Sequence, residues 1–170
     1  MTPIALGKYA GTYNNPGYGS ITFCDPLNAH NSSYCAEVLA DFAIVDSHPS
    51  CQATPCLRDK PQLLAKWSRL WSTHVRLAPF SNPGTGHQFI AEMTILFTRG
   101  FGLDKTPFES VGGVALVEFV IEDGRVLGLG IFGEVGDLTE RRGYVTLTVE
   151  QELARVPDYF SEGGTEWWRP

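Results

Sequence analysis

The sequence predicts an all-β fold, an antiparallel β-barrel of about eight strands with a C-terminal helix, in one domain spanning 1–170. Three observations carry this expectation. Eighteen Gly and eleven Pro, with 43% hydrophobic residues, suit short strands joined by many turns and argue against disorder and against a helical bundle. Apolar side chains alternate with period two in segment after segment, as half-buried strands require. Asp123-Gly124 stands between two apolar runs, where it supplies the φ > 0 positions of a two-residue hairpin turn. An antiparallel meander of that size removes its exposed edges by closing on itself.

The elements follow in order. A short helical turn at 4–8 leads into a strand at 11–13. Asn15, Pro16 and Gly17 then form a turn, because Pro fixes φ and Gly tolerates φ > 0, and 20–24 returns as the second strand. Tyr13, Tyr18, Ile21 and Phe23 suit the pleated, half-buried surface of such a pair. Residues 37–45 alternate Val38, Ala40, Phe42 and Ile44 against Glu37, Leu39, Asp41 and Ala43, and read as a strand, followed by a loop over 46–61. Residues 64–77 read as strands with Trp67, Arg69, Trp71, Thr73, Val75 and Leu77 on one face and Ser68, Leu70, Ser72, His74 and Arg76 on the other. Leu63, Leu64, Trp67, Leu70 and Trp71 also fit a helical period, so a helix stays open there. After a turn at 81–86, residues 87–97 form a long strand with Phe89, Ala91, Met93, Ile95 and Phe97 on one face. Residues 100–113 read as loop with weak strand character, and 114–121 and 125–132 flank the Asp-Gly turn as a hairpin. Residues 148–159 read as a helix with Val149, Leu153 and Val156 along one side. The tail ends on Trp167 and Trp168, which need a surface to dock on, and the barrel itself offers one as a lid or plug.

Charge and cysteine usage bound the function. Thirteen basic and nineteen acidic side chains give 13 − 19 = −6, and no basic cluster exceeds Arg141-Arg142, which argues against nucleic acid as a partner. No run approaches the roughly 18 apolar residues of a membrane span, and residues 1–8 lack the pattern of a signal peptide, so no membrane partner is expected. Cys24, Cys35, Cys51 and Cys56 match no zinc spacing. Disulfides are the better reading, and neighbours in sequence would pair Cys24 with Cys35 and Cys51 with Cys56, one of three possible pairings. With the glycosylation sequon Asn31-Ser32-Ser33 they point to a secreted protein; if the chain is complete from Met1 and cytoplasmic, the same cysteines are free thiols.

The order Tyr-x-Gly-x-Tyr at 9–13, Pro-Gly-Tyr-Gly at 16–19 and then a β run carries a resemblance. Together with Trp-Ser-Arg-Leu-Trp-Ser-Thr-His-Val-Arg-Leu at 67–77, Val117-Glu118-Phe119 and the 123–130 hairpin, it resembles the lipocalin-like C-terminal domain of β-lactamase-like (penicillin-binding-protein-like) serine hydrolases of the fungal type, over 9–132. The resemblance implies a lipocalin-like barrel attached to a hydrolase whose nucleophile lies in a Ser-x-x-Lys motif. No Ser-x-x-Lys and no Gly-x-Ser-x-Gly occurs in this chain, so that hydrolase chemistry does not carry over.

An eight-stranded barrel is just wide enough to fill with side chains or to hold one small ligand, so the chemistry rests on what lines it. Trp67 and Trp71, with Phe89, offer a flat apolar wall, against which ordinary core packing competes as an explanation. His74 and Arg76 could hold a carboxylate or polarise a carbonyl, or could stand on a polar outer face. Glu118 and Glu92 are each the sole ionisable group on an apolar strand face, where a carboxylate of raised pKa acts as general acid or base unless a cross-strand cation or solvent meets it. Asp41 raises the same question. His30, His48 and His87 lack carboxylates at ligand spacing, so neither a metal site nor a cofactor is expected. The expected function is binding of a small hydrophobic or amphipathic molecule. The rival is a cofactor-independent enzyme that cyclises or isomerises a natural-product intermediate, with Glu118, Glu92 and His74 as its acid/base groups. A homo-oligomerisation domain is a third reading.

Overall fold

The computed structural model describes residues 5–28, 32–49, 60–80, 87–132 and 165–170. A 3₁₀ turn, Leu6–Lys8, leads into β1 (Gly11–Asn15) and β2 (Gly19–Phe23), an antiparallel hairpin registered from Gly11 opposite Phe23 to Asn15 opposite Gly19. Asn15 organises the turn, its Oδ1 accepting from the amides of Gly17 at 2.7 Å and Tyr18 at 2.9 Å. Gly19 then takes φ +75°, a conformation closed to most side chains.

Residues expected to form a strand at 37–45 instead form a helix, α1 (Ser33–Asp46). Cys35, Val38, Phe42 and Val45 recur at helical spacing and are its buried residues, and the Ser32 hydroxyl caps the first turn by accepting from the Cys35 amide. Ser32 belongs to the sequon, whose Asn31 lies outside the described residues. The alternation over 37–45 failed because apolar residues occupy nearly every position there, and a period of two can be drawn through any such run.

The larger sheet is curled and wholly antiparallel, with strands in sequence order: β3 (Leu63–Arg69), β4 (Ser72–Pro79), β5 (Gln88–Phe97), β6 (Phe108–Glu122), β7 (Arg125–Phe132) and β8 (Thr165–Trp168). The strand reading of 64–77 and the Asp-Gly hairpin both hold, with Asp123 at φ +49° and Gly124 at φ +73°. The segment 100–113, read as loop, gives its last residues to β6, which starts at Phe108 and bulges opposite Met93 and Thr94. The tail forms a strand rather than a lid, Trp168 lying opposite Leu129. The expected helix at 148–159 and the cysteines Cys51 and Cys56 lie outside the described residues.

Two pairs of backbone hydrogen bonds tie the hairpin to this sheet. Cys24 and Leu64 exchange bonds of 2.7 and 2.9 Å, and Asn14 and Arg169 exchange bonds of 2.6 and 3.0 Å. Two apolar cores result. Tyr9, Tyr13, Ile21 and Phe23 join Trp67, Val75, Leu77, Phe89, Val117, Phe119, Leu129 and Trp168 on what we term the inner face of the sheet. On the outer face α1 packs through Val38, Phe42 and Val45 against Leu64 and Leu96. Cys24 and Cys35 form a disulfide that binds the start of α1 to the end of β2.

Candidate functional site

Alternation along β5 and β6 sends Phe89 and Phe119 to the inner face, where both meet Tyr9. Their ring centroids lie 4.9 and 5.0 Å from that of Tyr9 and 5.1 Å from each other, all edge-on. The Tyr9 hydroxyl lies 2.8 Å from Nδ1 of His87, which stands two residues before Phe89. Burial pushes the Tyr9 phenol above its ordinary pKa, so at neutral pH it keeps its proton, and the imidazole tautomer sets which of the two groups donates. Tyr13, likewise pushed up by burial and by the neighbouring Tyr9, donates to the Tyr9 carbonyl at 2.9 Å.

A second aromatic group on the same face joins three elements. Trp67 of β3, Trp168 of β8 and Tyr18 of the β1–β2 turn have ring centroids 5.8, 6.3 and 6.4 Å apart. The Arg69 guanidinium lies over the Trp67 ring at 5.0 Å and over the Tyr18 ring at 5.9 Å. Trp67 is 7% exposed and Trp168 1%. Their indole Nε1 atoms, and Nε of Arg69, are buried and meet no hydrogen-bond acceptor among the described residues.

The polar side chains singled out in β4 lie on the other face, beneath α1. His74 Nε2 is 3.3 Å from Asp41 Oδ2, its Nδ1 is 2.9 Å from the Thr73 hydroxyl, and the Phe42 ring meets it edge-on. Burial lowers the His74 pKa and outweighs the opposing pull of Asp41, which keeps the imidazole neutral. Arg76 is 0% exposed and stacks on the Phe42 ring at 4.4 Å. Its guanidinium donates to Glu109 at 2.8 and 2.9 Å and to Asp46 at 2.6 and 3.2 Å. Burial alone would favour its neutral form, but those carboxylates reverse that and hold it charged. This arrangement fixes α1 to the sheet through a satisfied cation, a structural task.

The sequence candidates therefore separate. Trp67 and Phe89 share the inner face; Asp41, His74 and Arg76 come together under the helix. Trp71 does not join Trp67, because the register shifts between Lys66 and Arg69 and leaves Trp71 in the β3–β4 turn, 50% exposed. Glu92 stands opposite Arg76 and Glu118 opposite Gln88, whose Nε2 donates to it at 3.0 Å. Both carboxylates share strand parity with the outer-face residues, so the sheet lies between them and the aromatic interior. Sequence reasoning missed Tyr9, His87, Asp46 and Glu109. Arg69 was placed on the Trp67 face by alternation alone, and Trp168 was marked by its need for cover. A scan against protein-family models and searches of curated proteins and of solved structures returned no match to this chain.

Proposed function

We propose that the protein is a lipocalin-like barrel that binds a small hydrophobic or amphipathic molecule against its aromatic inner face. Closure of the eight strands is part of this reading, and the paired hydrogen bonds of the hairpin to Leu64 on one side and to Arg169 on the other support it. The observation that carries the binding function is the pair of buried indole N–H groups of Trp67 and Trp168. A buried donor left unmet costs about 1–3 kcal/mol, which an acceptor on a bound molecule recovers. Titration with the neutral fluorophore 1-aminoanthracene tests this. Saturable, one-to-one enhancement of its emission with quenching of tryptophan fluorescence is expected, and unchanged spectra across a panel of apolar probes would overturn it. The sequence resemblance adds that such a barrel accompanies a β-lactamase-like hydrolase domain, which a Ser-x-x-Lys domain encoded upstream of Met1 would support.

The Tyr9–His87 pair favours a second reading, a cofactor-independent isomerase or cyclase. A phenol held protonated against an imidazole, on a wall of Phe89 and Phe119, is an acid/base couple beside an apolar substrate surface. Such a reaction conserves mass. Incubation with natural-product extracts is expected to convert one compound into an isomer, and Tyr9→Phe, which keeps the ring, to abolish the conversion; retention of activity by that variant would remove the dyad from the chemistry.

A further inference from the structure

We infer that the cluster of Tyr18, Trp67, Arg69 and Trp168 is a receptor for the carboxylate of a small aromatic or alicyclic acid, an inference that rests on the binding function proposed above and names the class of ligand. The chemistry of the unmet atoms selects the ligand. Indole N–H groups and a guanidinium only donate, and the three buried unmet nitrogens belong to side chains packed on one another, so the matching group is rich in lone pairs. Neutral carbonyls could satisfy the indoles. The guanidinium adds a permanent positive charge beside them, and a carboxylate completes that set better than any neutral acceptor.

The walls select the remainder of the molecule. Three ring centroids within 5.8 to 6.4 Å of one another present flat apolar surface in two orientations, since Trp67 and Trp168 are inclined at 72° while Tyr18 and Trp168 are inclined at only 34°. Such walls favour a planar or compact ring over a long flexible chain, whose ordering on binding is entropically costly. Access is also built in. Tyr18 sits half-buried on the β1–β2 turn and Arg69 is partly exposed at the end of β3, so these two side chains border the site on the solvent side while Trp67 and Trp168 form its depth. Arg69 over the faces of both Tyr18 and Trp67 is thereby held in place before any ligand arrives. The two tryptophans come from strands at opposite margins of the six-stranded sheet, so the site exists only where the sheet has curled to bring β3 near β8.

The test uses 2-naphthoate and its neutral analogue 2-naphthamide in calorimetric titrations, with indole N–H resonances followed by NMR. The acid is expected to bind roughly ten-fold or more tightly than the amide, as hydrogen bonds to a charged partner imply. Its binding should shift two indole N–H signals, one of which disappears in Trp67→Phe, a variant that keeps an aromatic ring. Arg69→Gln should erase the preference for the acid, bringing its affinity down to that of the amide. Equal binding of acid and amide would overturn the carboxylate assignment and leave the hydrophobic-binding reading standing. Failure of acid, amide and 1-aminoanthracene alike would remove both. Tight binding of the acid with unmoved indole signals would place it elsewhere, the two donors then being met by trapped water alone, and would equally overturn the inference.

Discussion

Arg76 is the most consequential single residue on the outer face, because its cation is fully buried and two carboxylates depend on it. Removing one member of such a group leaves charge stranded in a medium that solvates it poorly. Arg76→Met is expected to lower stability by about 3–5 kcal/mol in urea unfolding, whereas Arg76→Met combined with Glu109→Gln should lose clearly less, since Glu109 is the more buried of the two acids. His74 gives a pH dependence of definite sign. Burial depresses its pKa in the folded protein, while the unfolded chain takes up a proton near pH 6.5. Stability from the neutral imidazole is therefore complete above that pH and declines as the pH falls towards the folded value. Unfolding midpoints measured between pH 7.5 and 5 should fall less steeply in His74→Gln than in the parent. His74 and Arg76 stood out in the sequence as polar residues on a strand, but their partners did not. Asp46 ends a helix that was read as strand and loop, and Glu109 opens a strand whose first residues were read as loop, so neither could be set beside Arg76 without the fold.

At the scale of elements, α1 is fastened in three chemically different ways. The Cys24–Cys35 disulfide holds its first turn, the Tyr34 hydroxyl both donates to the Lys66 carbonyl and accepts from the Lys66 amide at 3.1 Å, and Arg76 takes its last residue. The crosslink spans 11 residues, for which loop entropy gives about 3 kcal/mol, so Cys24→Ala with Cys35→Ala should lower the unfolding free energy by about that much. Loss of the disulfide with no change in stability would mean that the other two fastenings suffice. The β7–β8 pairing depends on a close approach, since a Cβ at Gly128 would stand 2.5 Å from the Trp168 carbonyl oxygen. Gly128→Ala is expected to displace β8, cost about 1–3 kcal/mol and shift tryptophan emission to the red as Trp168 meets water. Strands proved easier to read than the helix for a physical reason. A strand flanked by Gly, Pro or Asp-Gly announces its own limits, whereas α1 begins at a serine hydroxyl and has apolar residues on more than one side, so that its true period was masked.

For the whole molecule, the sequence revealed a curled antiparallel sheet through turn chemistry and alternation, but the division of its faces depends on which one the helix covers. That is why Glu92 and Glu118 looked like interior carboxylates: each interrupts an apolar strand face, and only the docking of α1 and of the hairpin tells inner from outer. The proposed closure of the barrel makes a measurable prediction. The amides of Asn14, Cys24, Leu64 and Arg169 should resist hydrogen exchange as well as those in the middle of β5, whereas an open seam would let Asn14 and Arg169 exchange within minutes. The Asn14–Arg169 pairing also bears on how this chain is made. It joins residues 14 and 169, and a contact of such sequence separation carries a large loop-closure cost and forms slowly. Throughout synthesis the free margin of β1 and the later margin of β7 lack their final neighbours and offer unpaired backbone to any other chain. Losing residues 165–170 would therefore turn a transient exposure during biosynthesis into a permanent one.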